Sequence, residues 1–113
     1  MLDIKGSDIY LTRGDTAVIE VWITSTGGGI YRPEVGDRLC MTVKRSISDS
    51  TVAIKKEVTK ISESGGSEIV LDPSDTKHLP FGRYLYDVEL QTIGGAVHTI
   101  ITPSAFHICE EVG

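Results

Sequence analysis

The residues of this chain that could take part in acid-base or metal chemistry are few and widely spaced. No pair among His78, His98 and His107 has the i, i+4 spacing with which a helix holds zinc. If the strands of His98 and His107 are neighbours, a metal shared with Cys109 or a carboxylate is a hypothesis. His107 and Cys109 alternate with apolar residues, however, so they are predicted to face solvent or a partner. We therefore predict no metal site.

The carboxylates of Asp72, Asp75 and Asp87 form the other group that could bind a cation, and calcium is its functional interpretation. A simpler reading is that Asp72 caps a short helix and Asp75 occupies its third position. Nucleophilic catalysis has no support, because G-x-S-x-G is absent and no helix follows the glycine pairs. The sequence predicts that the protein is not an enzyme and binds no cofactor.

An Arg-Gly-Asp triplet at Arg13, Gly14 and Asp15 suggests integrin binding. Three residues recur by chance too often to support that claim. A second Gly-Asp pair, Gly36 and Asp37, also stands directly before a predicted strand. We therefore interpret both pairs as turns that the fold uses twice.

The two cysteines, Cys40 and Cys109, lie on predicted strands far apart in the chain. A bridge between facing strands is geometrically conceivable, but a domain made in the cytoplasm usually keeps such thiols reduced. We expect both thiols to be free.

Length and charge limit the classes of protein that the chain can belong to. Its 113 residues suit a single domain spanning 1–113, and a net charge of −5 has the wrong sign for general binding to nucleic acid. Six basic residues against two acidic ones between Arg38 and Lys60 are explained by a solvated sheet face. The charged first fifteen residues contain no secretory signal, and no apolar run approaches the roughly 20 residues of a membrane span. We expect a soluble protein made in the bacterial cytoplasm.

The elements that would position these side chains are short strands separated by turn residues. Apolar and polar residues alternate in segments that we assign as strands: 8–11, 17–24, 38–44, 51–58, 68–71, 83–90, 96–102 and 105–109. Lys56 interrupts the inward positions of its segment, which indicates an edge strand or a bulge. Asp72 and Pro73 begin a single helical turn near 73–78. Ile93 to Ala96 contains a diglycine that fits a hairpin turn.

Half-buried strands of this kind pack as two layers, so the fold class is an all-β, antiparallel sandwich of about 7–8 strands. A helical turn, a leucine, a glycine and then a tyrosine resemble the tyrosine corner of immunoglobulin-like sandwiches. The corner would use Asp75, Leu79, Gly82 and Tyr84, with the Tyr84 hydroxyl bound near 75–79. An ordinary strand start is the alternative. Tyr86 stands where antibody domains have a core cysteine, so we expect no inter-sheet disulfide.

Four stretches resemble a known family over nearly the whole chain: "RGDTAVIEVWI", "VGDRLCMTVKRS", "LDPSDTKHLPFGRYLYDVEL" and "GGAVHTIITPSAFHICEEV". They are similar to small immunoglobulin-like structural proteins encoded in the morphogenesis regions of tailed phages and prophages of Gram-positive hosts. The resemblance implies a non-enzymatic component of a tail or baseplate, found in the virion. Its partners would be other tail proteins or further copies of itself, with no nucleic acid, membrane or cofactor.

A protein of this class acts through its surface, and three residues are candidate partner contacts. Trp22 lies beside the core or in an interface, and Ile30 and Tyr31 follow the triple glycine at 27–29. The 46–50 loop and the outward positions of the last strand are further candidates. The alternative function is a glycan-binding or adhesive sandwich, which would require an exposed aromatic platform.

Overall fold

The computed structural model describes residues 2–5, 7–24, 31–63 and 65–112, and within them the chain forms eight strands and one helical turn. In chain order they are β1 (Leu2–Lys5), β2 (Asp8–Thr12), β3 (Ala17–Trp22), β4 (Arg38–Lys44), β5 (Val52–Val58), β6 (Gly66–Leu71), α1 (Pro73–Thr76), β7 (Gly82–Gln91) and β8 (Val97–Cys109). None of the described residues belongs to a helix long and apolar enough to cross a membrane.

The strands form two sheets that pack face to face. The large sheet has the order β1-β2-β8-β7-β4-β5, and the small sheet pairs β3 with β6. The predicted all-β sandwich with a short helical turn is confirmed. One detail differs, because β2 pairs with β8 in parallel, from Ile9 opposite Phe106 to Thr12 opposite Cys109. Alternation of side chains sets which face is buried but not the direction of the neighbouring strand, so this pair could not be predicted.

The core lies between the inner faces of the two sheets. Tyr84, Tyr86, Val88 and Leu90 on β7 are all buried, as their period of two predicted. Phe106 is fully buried and stands next to Tyr84 on one side and Ile9 on the other. The remaining core residues come from every strand whose side chains are described and from the residue after β3: Leu11, Ala17, Ile19, Val21, Ile23, Leu39, Met41, Val43, Ile54, Ile69, Leu71 and Ile108.

The last strand is longer than predicted. We expected two strands, 96–102 and 105–109, with Pro103 between them, but β8 runs without interruption from Val97 to Cys109. The register with β7 shifts where Tyr86 faces Ser104 and Val88 faces Ile101, so residues 102 and 103 fall in a bulge. A bulge is a position at which proline fits within a sheet, because no ladder hydrogen bond is required of its nitrogen.

Lys56 lies on an edge strand, as predicted, because β5 is the last strand of the large sheet. Its ammonium group lies 2.8 Å from a carboxylate oxygen of Asp75 and 3.9 Å from one of Asp72. This contact gives an inward-pointing lysine a charged partner and joins the edge of the large sheet to the segment after β6. The cost of its partial burial is thereby reduced.

Both Gly-Asp pairs are turns, as predicted. The Asp15 N–H donates to the Thr12 carbonyl at 3.1 Å, and the Asp37 N–H donates to the Glu34 carbonyl at 3.0 Å. The glycine before each aspartate has a positive φ, 81° at Gly14 and 100° at Gly36. These values are those of the third position in a type II turn, where a side chain would be strained.

Candidate functional site

The predicted corner residues lie around the turn that leads from α1 into β7. The Tyr84 hydroxyl donates to the Pro80 carbonyl at 2.9 Å, one residue beyond the expected stretch of 75–79. Asp75 accepts the Asp72 N–H at 2.7 Å, and the Leu79 N–H donates to the Thr76 carbonyl at 2.9 Å. Each of these contacts is internal to the fold. They fix the start of β7 and offer no group to a ligand.

Replacing Tyr84 with phenylalanine should lower the free energy of unfolding by about 1 kcal/mol, because one hydrogen bond is lost while the ring stays in the core. Tyr84 is 3% exposed, so the bond is partly shielded from water. Urea unfolding of the two proteins measures the change. An unaltered midpoint would show that the Pro80 contact does not stabilise the corner.

Tyr31 was a candidate partner contact, and in the structure its hydroxyl is used internally. It donates to the carboxylate of Asp37, which also accepts N–H bonds from Glu34 at 3.0 Å and Ile93 at 3.3 Å. Burial, then the bond to Asp37, raises the pKa of Tyr31 to about 12. The Glu34 and Tyr31 donors hold the pKa of Asp37 below its ordinary value. Ile30, the neighbouring candidate, and the triple glycine lie outside the described residues.

The residues proposed for calcium do not converge. Asp87 lies on the outer face of the large sheet, opposite Thr42, whereas Asp72 and Asp75 contact Lys56. Across the described part of the chain, no three histidine, cysteine, aspartate or glutamate side chains are grouped closely enough to hold a metal.

His98 and His107 do not lie on neighbouring strands. Both belong to β8, so an extended strand separates them by about 30 Å. The His107 ring instead stacks on Tyr10 of β2, with the ring centroids 4.3 Å apart. The alternation of residue types could not reveal this, because two segments that look separate in sequence are one bulged strand.

A shallow cleft lies on the outer face of the large sheet and has a volume of about 330 Å³. Its lining includes Lys44, Asp87 and Glu89 but no imidazole or thiol. Burial, then the charge of Glu89, raises the pKa of Asp87, while Lys44 acts in the opposite direction. The cleft therefore presents a mixed polar and apolar surface.

The Arg-Gly-Asp triplet is held by contacts within the fold. The Arg13 guanidinium donates to Glu111 at 3.0 and 3.1 Å and to the Leu79 carbonyl at 3.3 Å. It also lies over the Phe81 ring, 4.1 Å from its centroid. The hydrogen bonds that Glu111 accepts from Arg13 and from Lys77 lower the pKa of Glu111. A guanidinium engaged in this way is not presented for binding to another protein.

The two cysteines are free, as expected, but their surroundings differ. Cys40 lies on the outer face of the large sheet, yet it is only 3% exposed. Its neighbours on the adjacent strands are Glu57 and Glu89. Burial, then the charge of Glu57, raises the pKa of its thiol.

Cys109 should react faster than Cys40 with a thiol reagent such as Ellman's reagent at neutral pH. The thiolate is the reactive species, and both burial and a raised pKa reduce its amount at Cys40. Single variants Cys40→Ser and Cys109→Ser separate the two rates. Faster labelling of the protein that retains only Cys40 would contradict the structure.

Several exposed apolar side chains are grouped on the outer face of the small sheet. This small-sheet face consists of three facing pairs: Val18 with Val70, Glu20 with Glu68, and Trp22 with Gly66. Trp22 is 60% exposed and its ring covers Gly66, where a Cβ atom would come within 2.8 Å of the indole. Val18 and Val70 are 44% and 46% exposed.

A hollow of about 480 Å³ adjoins the small-sheet face. Its lining includes Trp22, Glu20 and Glu68, together with Lys60 and Ile61. The sequence indicated this surface only in part, because the outward residues of β3 are mixed in polarity. The pairing of Trp22 with a glycine on β6 depends on the register between distant strands and was not predicted.

Comparison with known proteins gives no relative for this chain: no family model, no curated protein and no solved structure matches it.

Proposed function

We propose that this chain is a non-enzymatic structural or assembly protein that acts through protein contacts in the tail or baseplate of a tailed phage. The observation that carries the proposal is the small-sheet face, on which an exposed tryptophan and two exposed valines flank a pair of carboxylates. Exposed aromatic and aliphatic side chains grouped on one surface are typical of interaction sites.

The assignment to a tailed phage is supported by the four sequence stretches that resemble small immunoglobulin-like structural proteins of phages and prophages. Several of their residues have defined roles in the fold. Gly14 and Gly36 form turns, and the Tyr84 hydroxyl forms the hydrogen bond of the corner with the Pro80 carbonyl. The residues that carry the resemblance therefore act as parts of a scaffold. A scaffold of this kind functions by presenting surfaces, which agrees with assembly into a particle.

Purified phage particles from the host test this function. The chain should be present in tails or baseplates by mass spectrometry, in a fixed ratio to the other tail proteins. Its solution mass, measured by light scattering, should show whether it enters the particle as a monomer or as an oligomer. Absence from particles, in cells that express the chain and release infectious phage, would contradict the proposal.

A second candidate is a glycan-binding or adhesive module, which the 60% exposure of Trp22 favours. An indole face can stack on the apolar face of a sugar ring, and the nearby carboxylates of Glu20 and Glu68 can accept hydrogen bonds from hydroxyl groups. Saturable binding on a glycan array that disappears in Trp22→Ala would establish this function. Binding that the variant retains would exclude this site.

A further inference from the structure

We propose that the open edge of β3 and the small-sheet face bind an extended, basic segment of a partner protein. The segment would add a strand beside β3 and place an arginine or lysine side chain over Glu20 and Glu68, next to Trp22. This inference rests on the proposed function, since it names the chemistry of the partner that such an assembly protein would bind.

The hydrogen bonding of the small sheet shows which backbone groups of β3 are open. The Ile23 N–H donates to the Gly65 carbonyl at 2.9 Å, so the odd-numbered residues of β3 direct their backbone groups toward β6. Val18, Glu20 and Trp22 consequently direct theirs away from it. Within the described ranges no other strand pairs with β3, and this edge is therefore available for strand addition.

The other described edges near this face are better protected. On β6, the Gly66 carbonyl accepts the Ser62 N–H at 2.8 Å, and the Gly66 N–H donates to the Ser62 hydroxyl at 3.0 Å. On β5, Lys55 and Lys56 place positive charge along the edge of the large sheet. Lysines and covering segments are common means of blocking an edge. β3 has neither a lysine nor a proline.

The charge on the small-sheet face favours a cationic partner. Glu20 and Glu68 are directly opposite each other, and like charges in that position are destabilising. In the described structure neither carboxylate forms an ion pair or a side-chain hydrogen bond, and Lys60, which also lines the hollow, pairs with neither. A partner's guanidinium or ammonium group would relieve this repulsion.

The neighbouring residues define what should surround that cation. The exposed face of Trp22 can hold it by a cation–π contact, and Val18 and Val70 offer an apolar contact on the other side. The complementary strand thus has a basic residue flanked by apolar residues at alternate positions. A second copy of this chain fits less well, because symmetric pairing centred on Glu20 would oppose Glu20 to itself.

A synthetic peptide tests the proposal in the intact protein. The probe is the capped peptide Thr-Ser-Val-Thr-Arg-Thr-Val-Ser-Thr, whose valines and arginine share one face of a strand. Trp22 is the single tryptophan of the chain, so its fluorescence reports binding. We expect saturation in roughly the millimolar range for so short a peptide. Replacing the peptide's arginine with glutamate should weaken binding at least about tenfold.

Variants of the protein distinguish the effect of the charge at this face on peptide affinity from the effect of the overall charge. Glu20→Gln with Glu68→Gln should reduce the affinity for the arginine peptide by roughly tenfold, since two charge contacts are lost. The matched control, Glu57→Gln with Glu89→Gln, removes the same charge from the outer face of the large sheet and should leave the affinity unchanged. Circular dichroism verifies that each variant folds.

Hydrogen exchange tests the strand addition itself. The amides of Val18, Glu20 and Trp22 should exchange rapidly in the free protein and slowly with saturating arginine peptide. The amides of Ile19 and Val21, which face β6, serve as the internal reference. Equal affinity for the arginine and glutamate peptides, no peptide binding, unprotected edge amides, or self-association through β3 would each overturn the proposal.

A failure of this binding proposal can be distinguished from a failure of the proposed phage function. A chain that is present in tails but shows no arginine-dependent binding retains its function and loses this partner chemistry. A chain that binds the peptide as described but is absent from particles loses the phage function and retains the binding surface.

Discussion

Replacing Asp37 with asparagine should lower the free energy of unfolding at neutral pH by about 2–3 kcal/mol, as expected when a charged acceptor of several hydrogen bonds is lost. Asp37 is 2% exposed, and its two oxygens accept bonds from Tyr31, Glu34 and Ile93. Asparagine has a single acceptor oxygen, so its amide nitrogen would face at least one of these donors. Urea unfolding at pH 7 measures the loss.

The effect of this substitution should depend on pH. The folded-state pKa of Asp37 lies below its ordinary value of 3.8, so its charge stabilises the fold above that value. The contribution is lost as the pH falls through the folded pKa. The difference between the wild type and Asp37→Asn should therefore narrow in acid. A difference that stays constant from neutral pH down to about pH 2 would contradict this assignment.

Asp15 provides the matched control for Asp37. It occupies the same position of the other Gly-Asp turn, but it is only half-buried. Asp15→Asn should therefore cost clearly less than Asp37→Asn, because water can solvate the groups left without a charged acceptor. Equal losses would show that turn position, and not burial of the carboxylate, determines the stability.

Replacing Phe106 with alanine should lower the free energy of unfolding by about 3–5 kcal/mol, the usual cost of removing a buried aromatic ring. Phe106 is 0% exposed, and its ring meets the edge of Tyr86 at a centroid distance of 6.1 Å. It also lies on β8 between β2 and β7, so the cavity would open at the centre of the large sheet. Chemical denaturation measures the change.

Phe81 is the other phenylalanine of the chain and serves as the control for Phe106. It is 37% exposed and its ring contacts the Arg13 guanidinium. Phe81→Ala should cost about 1 kcal/mol or less, as expected for an exposed cation–π contact. A loss at Phe106 no larger than the loss at Phe81 would contradict the burial of Phe106 in the core.

The parts of the fold that depend on local sequence could be predicted. Alternation from Tyr84 to Leu90 located β7 and its buried face, and the Gly-Asp pairs located two turns. The position of Lys56 identified an edge strand. In each case the signal and its structural cause lie within a few residues, since period and turn chemistry are local properties.

The parts that depend on distant pairing could not be predicted. The parallel contact of β2 with β8 joins residues nearly one hundred positions apart, and β1 was not identified as a strand. The burial of Cys40 on an outer face results from its neighbours across the sheet. The bulge that contains Pro103 can be located only from the register between β7 and β8, and the proline alone does not indicate that register.

The candidate contact residues Trp22 and Tyr31 differ in the structure, and this difference also depends on distant contacts. Trp22 is exposed, whereas Tyr31 packs against the core and donates a hydrogen bond to Asp37. Sequence reasoning could not distinguish the two residues, because it shows neither the register between β3 and β6 nor the loop contacts of Asp37. The small-sheet face depends on Glu68 and Val70, which were assigned only as parts of a short strand.

The parallel pairing of β2 with β8 determines how the molecule would resist tension. Suppose that the molecule is pulled at Asp8, the first residue of β2, and at Cys109, the last residue of β8. The two parallel strands are then drawn in opposite directions along their common axis. The bonds between them are then loaded together in shear, whereas an antiparallel hairpin pulled from its open end separates one bond at a time. A pull in this direction should therefore meet more resistance than a pull that opens a hairpin.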